Sequence, residues 1–174
     1  MQGRVNILAG KMCVKRKIAA ILLSVTVVAV ATPASPTIAE ITGPARVIDG
    51  DTIEIADQRI RLHGIDAPEL DQTCKVDDRI IQCGEIAKAA LMDLVFLSAV
   101  TCKAEDEDRY GRIVATCYVG GFDLGRIMVE RGWALAYRRY STRYVQIEAE
   151  AEQAGRGMWQ GEFVPPWEWR RGER

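Results

Sequence analysis

Residues 46–69 read RVIDGDTIEIADQRIRLHGIDAPE and group Asp49, Asp51, Asp66 and Glu69 around Arg61. Carboxylate oxygens suit a hard cation such as Ca²⁺. A guanidinium fork suits a phosphate. Together these residue types could carry out a metal-assisted attack on a phosphodiester. Each also has a plainer reading. Aspartates at strand ends are ordinary turn formers, Glu69 after Pro68 can be a solvated loop residue, and Arg61 can be a salt-bridge partner of the nearby aspartates. His63 shares a strand face with Arg61 by alternation and reads as a packed strand histidine that such chemistry does not need.

Such a set works only if the chain brings it together. Alternating β-formers predict strands over 40–48, 51–56 and 59–65, with turns at Gly50 and at Asp57-Gln58. Asp51 and Asp66 then end separate strands, whose pairing would aim both carboxylates at one point. Pro68 ends the third strand, and polar residues 70–83 read as a loop. Apolar spacing near i, i+3, i+4 predicts a helix over 84–98. A hairpin follows, with strands 100–104 and 112–119 around the charged turn 105–111. Asp106, Asp108 and Gly111 imitate the start of an EF-hand, but its twelfth position, where Glu is required, is Cys117. That reading is excluded, and the turn reads as a solvated tip. Asp123 can cap a short helix stopped by Gly132, and Ser141 can cap another through Ala154. Three strands, a helix, two strands and two helices fit a five-stranded OB-type barrel with three helices, an α+β arrangement.

The chain has 174 residues and is 48% apolar, which suits one domain with a core. Its start differs from the rest. Lys11, Lys15, Arg16 and Lys17 precede the apolar run 18–31, and no acid occurs before Glu40. Ala29-Val30-Ala31 and Thr37-Ile38-Ala39 both fit a cleavage site, so 1–39 reads as an export signal cut near 31 or 39. As a helix the run rises about 21 Å, short of the bilayer core; an uncleaved anchor is the alternative. Met12 is a second candidate start. Without 1–39, which carries five basic residues and no acids, 18 basic residues face 24 acidic ones, a net charge of −6. Bulk attraction to polyanions is thereby excluded, and contact with nucleic acid must be local.

Beyond the signal lie Cys74, Cys83, Cys102 and Cys117. Four cysteines allow three connectivities. The favoured pairs are Cys74–Cys83, closing the polar loop, and Cys102–Cys117, stapling the hairpin; four buried thiols are the alternative. A zinc site has no support, with no C-x-x-C and one histidine. Nor is there a P-loop, G-x-S-x-G or H-E-x-x-H.

Three blocks in order, VIDGDTIEI, RIRLHGIDAPE and DRYGRIVA, resemble the thermonuclease family, best known from staphylococcal (micrococcal) nuclease. The resemblance spans roughly 43–159 and includes Trp159 after GRGM. It implies an OB barrel with three helices that uses Ca²⁺ to hydrolyse DNA and RNA, leaving 3′-phosphates. It implies Asp51 and Asp66 as metal ligands, with the backbone carbonyl of Ala67 where the archetype has threonine. Glu69 resembles the general base, and Arg61 and Arg112 resemble the phosphate-binding arginines. Tyr110 and Tyr137 resemble nucleotide-contacting tyrosines, and Asp49 resembles an acid near the metal that does not ligate it. The archetype is strongly basic and lacks both disulfides. The expected organisation is a signal over 1–39, a nuclease-like domain over 40–162 and a Trp- and Arg-containing tail over 163–174. The expected protein is a periplasmic or extracellular monomer, not inserted in a membrane once the signal is removed. The alternative is a non-catalytic OB module of the cell envelope that binds nucleic acid or a protein.

Overall fold

The computed structural model describes residues 40–173; the expected signal segment and its cleavage sites lie outside the described residues. Strands β1 (Glu40–Pro44), β2 (Arg46–Val47), β3 (Thr52–Ile55), β4 (Gln58–Leu62) and β5 (Ile65–Asp66) lead into a small hairpin, β6 (Cys74–Val76) and β7 (Arg79–Ile81). Helix α1 (Cys83–Val95) follows, then β8 (Ala99–Glu107), β9 (Ile113–Val119) and β10 (Phe122–Asp123). Helix α2 (Leu124–Glu130), β11 (Leu135–Ala136), α3 (Val145–Gln153), a 3-10 turn (Gly157–Gln160) and α4 (Pro166–Trp169) complete the chain.

The main sheet runs β1-β8-β9-β4-β3-β2, with β10 added to β9. Its β4–β9 pair is parallel, aligning Arg61 with Val114, and its other pairs are antiparallel. A parallel pair needs a long crossover, and α1 with β8 supplies it. The sheet curls as an OB-type half-barrel. At Gly43 of β1 an added Cβ would come within 2.9 Å of Ile55, so β1 lies over β3 at close quarters. Alternation directs Ile53, Ile55, Ile60 and Leu62 into the core. Ala87, Leu91 and Val95, four residues apart, form the buried face of α1 and join Leu124 and Met128 of α2 in that core.

Both disulfides form as expected, Cys74–Cys83 and Cys102–Cys117. The second joins directly opposed residues of β8 and β9. Asp123 caps α2 by accepting the Arg126 N–H at 3.1 Å.

Several expectations are corrected. Residues 70–83 contain a hairpin, because Asp77 and Asp78 both adopt positive φ and close a two-residue turn of the primed type. The β3–β4 turn sits at Ala56-Asp57, one residue earlier than read, because Gln58 already pairs with Ile55. Strand β8 runs on to Glu107, with a bulge at 104–106, so the tip shrinks to 108–112. Ser141 does not cap α3. Its hydroxyl accepts the Arg143 N–H, and the helix starts at Val145. The tail adds α4, a fourth α-helix.

Candidate active site

Asp51 stands at the entrance to β3. Its N–H donates to Asp49 Oδ1 at 3.0 Å, and its carbonyl accepts the Leu62 N–H at 2.8 Å. Asp66 lies in β5, where pairing with β11 sets it opposite Leu135. Two glycines let the intervening loop pack closely. A Cβ on Gly50 would stand 2.7 Å from Ala67 Cβ, and one on Gly84 would stand 1.8 Å from the Glu69 carbonyl oxygen. Any side chain at either position would push the loop away. The start of α1, at Gly84, therefore packs against the backbone of Glu69, while Gly50 packs against Ala67.

Arg61, on β4, bridges the two aspartates. Its Nη1 donates to Asp51 Oδ1 at 2.5 Å and its Nη2 to Asp66 Oδ1 at 2.7 Å. The salt-bridge reading of this residue therefore holds, and it brings Asp51 and Asp66 to one point. The Ala67 N–H donates to Asp51 Oδ2 at 2.9 Å. Glu69 is tied through its backbone to Gln72, whose side-chain amide donates to the Val164 carbonyl at 2.6 Å.

A further residue completes the cluster from the tail. Arg170 donates to Asp66 Oδ1 and Oδ2 at 3.1 and 2.6 Å and to Glu69 Oε1 at 2.6 Å. Sequence reasoning gave it no role. The dense aromatic and arginine content of the tail was the available signal, but no spacing rule links positions 104 residues apart.

Asp49, Asp51, Asp66 and Glu69 thus stand near two guanidiniums, a formal surplus of two negative charges. Burial first, and then the Asp51 charge, push the Asp49 carboxyl up to about 6. Burial also raises Asp66 against the pull of Arg170 and Arg61. Crowded hard oxygens with excess negative charge fit a divalent cation in chemistry. The cage is not preformed: among the described residues no three His, Cys, Asp or Glu side chains converge on one point as metal ligands. The oxygens that a cation would use are taken up by Arg61, Arg170 and the Ala67 N–H.

Arg112 is held elsewhere. Its Nε donates to Asp108 Oδ2 at 2.7 Å and its N–H to Asp108 Oδ1 at 3.0 Å, while its guanidinium lies 5.6 Å from the centre of the Tyr110 ring. No hydrogen bond or ion pair among the described residues joins it to the carboxylate cluster. With Arg59 and Tyr110 it lines a cleft of about 640 Å³. Tyr137 is separate from Tyr110. It stacks on Trp167 with centroids 5.8 Å apart and planes 3° from parallel, beside Arg139 and Arg171 in a cleft of about 250 Å³. His63 stays outside the cluster, with Nδ1 3.0 Å from Glu105 Oε2.

Comparison with known proteins shows the family to which the chain belongs. The family model described as staphylococcal nuclease homologue matches residues 59–161. An uncharacterized endonuclease of Escherichia coli is 39% identical over 133 residues, covering 72% of this chain and 81% of that protein. The succinoglycan biosynthesis protein ExoI of Rhizobium meliloti (strain 1021) is 37% identical over 152 residues, covering 84% and 77%. The micrococcal nuclease of Shigella flexneri is 33% identical over 147 residues, covering 74% and 79%. The chain belongs to the staphylococcal nuclease family.

Proposed function

We propose that this nuclease is an exported phosphodiesterase that uses Ca²⁺ to cleave DNA and RNA, leaving 3′-phosphates. The observation that carries the reading is the meeting of Asp51 and Asp66 at Arg61 and of Asp66 and Glu69 at Arg170, three carboxylates around two guanidiniums. Asp51, Asp66 and the Ala67 carbonyl would hold the ion. Bound there, Ca²⁺ supplies charge neutralisation and polarisation of a phosphoryl oxygen. Glu69 accepts a proton from the attacking water. Arg61 offers its fork to the phosphate from the strand side, and Arg112 does so from the hairpin tip, where Asp108 orients its guanidinium. Tyr110 and Tyr137 contact the nucleotides on either side, and Asp49 supports the loop of Asp51 from behind.

Export is supported by the two disulfides, which persist in oxidising compartments. Among the described residues no helix is long and apolar enough to cross a membrane. The protein acts as a monomer.

Purified protein should cleave single- and double-stranded DNA and RNA with Ca²⁺ and stop on chelation. Arg61→Lys and Arg112→Lys keep the charge but lose the planar fork, and each should lower kcat by about 10²-fold. Undiminished cleavage by either variant, or by wild type in chelator, overturns the assignment.

A further inference from the structure

The two arginines of the carboxylate cluster reach it by different routes. Arg61 projects from the interior of the sheet, on a strand paired on both sides, and its side chain is 17% exposed. The pairing of β4 on both sides holds its backbone in place. Arg170 follows a helix of four residues in the tail, and its side chain is 37% exposed. Asp66 beneath it is fully buried. The Arg170 guanidinium therefore lies on the solvent side of Asp66, and an ion arriving from solution meets it first.

Arg170 engages both oxygens of Asp66 and one oxygen of Glu69. In the reading above, these are the atoms of a cation ligand and of the general base. A guanidinium and a hard divalent cation want the same thing from a carboxylate, negative charge and oxygen lone pairs. Asp66 cannot give Oδ2 fully to both. Glu69 cannot accept a proton from water with the oxygen that is engaged by a guanidinium.

We infer that Arg170 is a tethered counter-cation that closes the site when no metal is bound and is displaced from Asp66 and Glu69 when a divalent cation enters. The tail then sets the apparent cation affinity, because part of the binding energy is spent in opening it. Trp167 gives the tail a second anchor. Its stack on Tyr137 keeps Arg170 nearby after release, beside Arg139 and Arg171. This inference rests on the assignment of Asp66 as a cation ligand.

The test is Ca²⁺ binding by isothermal titration calorimetry on the full chain, without substrate, for wild type, Arg170→Gln and Arg170→Lys. Limited trypsin cleavage after Arg170 and Arg171 is followed by mass spectrometry in Ca²⁺ and in chelator. Arg170→Gln should bind Ca²⁺ about tenfold more tightly than wild type. Arg170→Lys, which keeps the charge but not the two-pronged contact, should fall between them. In wild type, tail cleavage should accelerate when Ca²⁺ is added; in Arg170→Gln, cleavage after Arg171 should be fast with or without it. Equal or weaker Ca²⁺ binding by Arg170→Gln, with wild type binding normally, overturns the counter-cation role and leaves the metal assignment standing. Absence of Ca²⁺ binding in wild type and variant alike overturns both.

Discussion

Two regions carry arginine–aspartate pairs, and they are built in opposite ways. In the carboxylate cluster, Arg61 on β4 meets Asp51 ten residues before it and Asp66 on another strand, and Arg170 arrives from the far end of the chain. At the hairpin tip, Arg112 meets Asp108 four residues away, and both lie near the surface. The first network exists only when the barrel has closed, and its two aspartates are shielded from water. The second is a feature of one turn and is screened by solvent. Burial makes the first network strong and hazardous, since removing one partner strands a charge. The second can be altered with little consequence for the fold. In the proposed mechanism both arginines face the phosphate, so the site joins a rigid half to a locally supported half.

The largest expected effect follows from that contrast. Arg61→Ala leaves Asp51 and Asp66 facing each other without their bridge, and stability should fall by about 3–5 kcal/mol in chelator. Arg112→Ala should cost less than about 1 kcal/mol. Urea denaturation of the two variants measures both, and equal losses would erase the distinction. A smaller effect separates the disulfides. Replacing Cys102 and Cys117 together by serine opens a span of 15 residues at the base of the hairpin and should cost about 3 kcal/mol. The Cys74–Cys83 span is 9 residues, and its removal should cost less. Melting curves of the two double variants, compared under oxidising conditions, give the order.

The same contrast explains what could be read from the sequence. Asp51, Arg61 and Asp66 were legible because they fall in one stretch whose strand alternation fixes their faces. Cys102 and Cys117 were legible because a hairpin places residues by counting back from its turn. Arg170 was not legible, because its partnership with Asp66 is created by tertiary packing alone. The β6–β7 hairpin was missed for a local reason: a polar Asp-Asp pair reads as loop, although aspartate tolerates the left-handed conformation that a tight turn demands. The start of α3 was misplaced because Ser141 uses its hydroxyl in a turn, a competing use of the same side chain. From the sequence Arg112 reads as a partner of the phosphate and Asp108 as part of a solvated tip, because the turn geometry that joins them is not visible in residue types alone.

The smallest expected effect tests the local half by pH. Burial is the largest single influence on the Asp108 carboxyl and favours its neutral form, but the Arg112 N–H, its guanidinium and the Tyr110 N–H together outweigh it and hold the pKa below the ordinary value. A carboxylate whose pKa is depressed on folding stabilises the fold above its unfolded pKa of about 3.9, and that contribution is lost as pH falls through the folded value. Asp108→Asn should therefore be slightly less stable than wild type at pH 7, by under about 1 kcal/mol given the solvent exposure of the tip. The gap should close as pH drops below about 4, and added salt should narrow it at pH 7. Thermal melts of both proteins across this range decide the matter. A gap that widens in acid would mean that Asp108 supports the tip through something other than its charge, and that the tip is less independent of the barrel than its four-residue ion pair suggests.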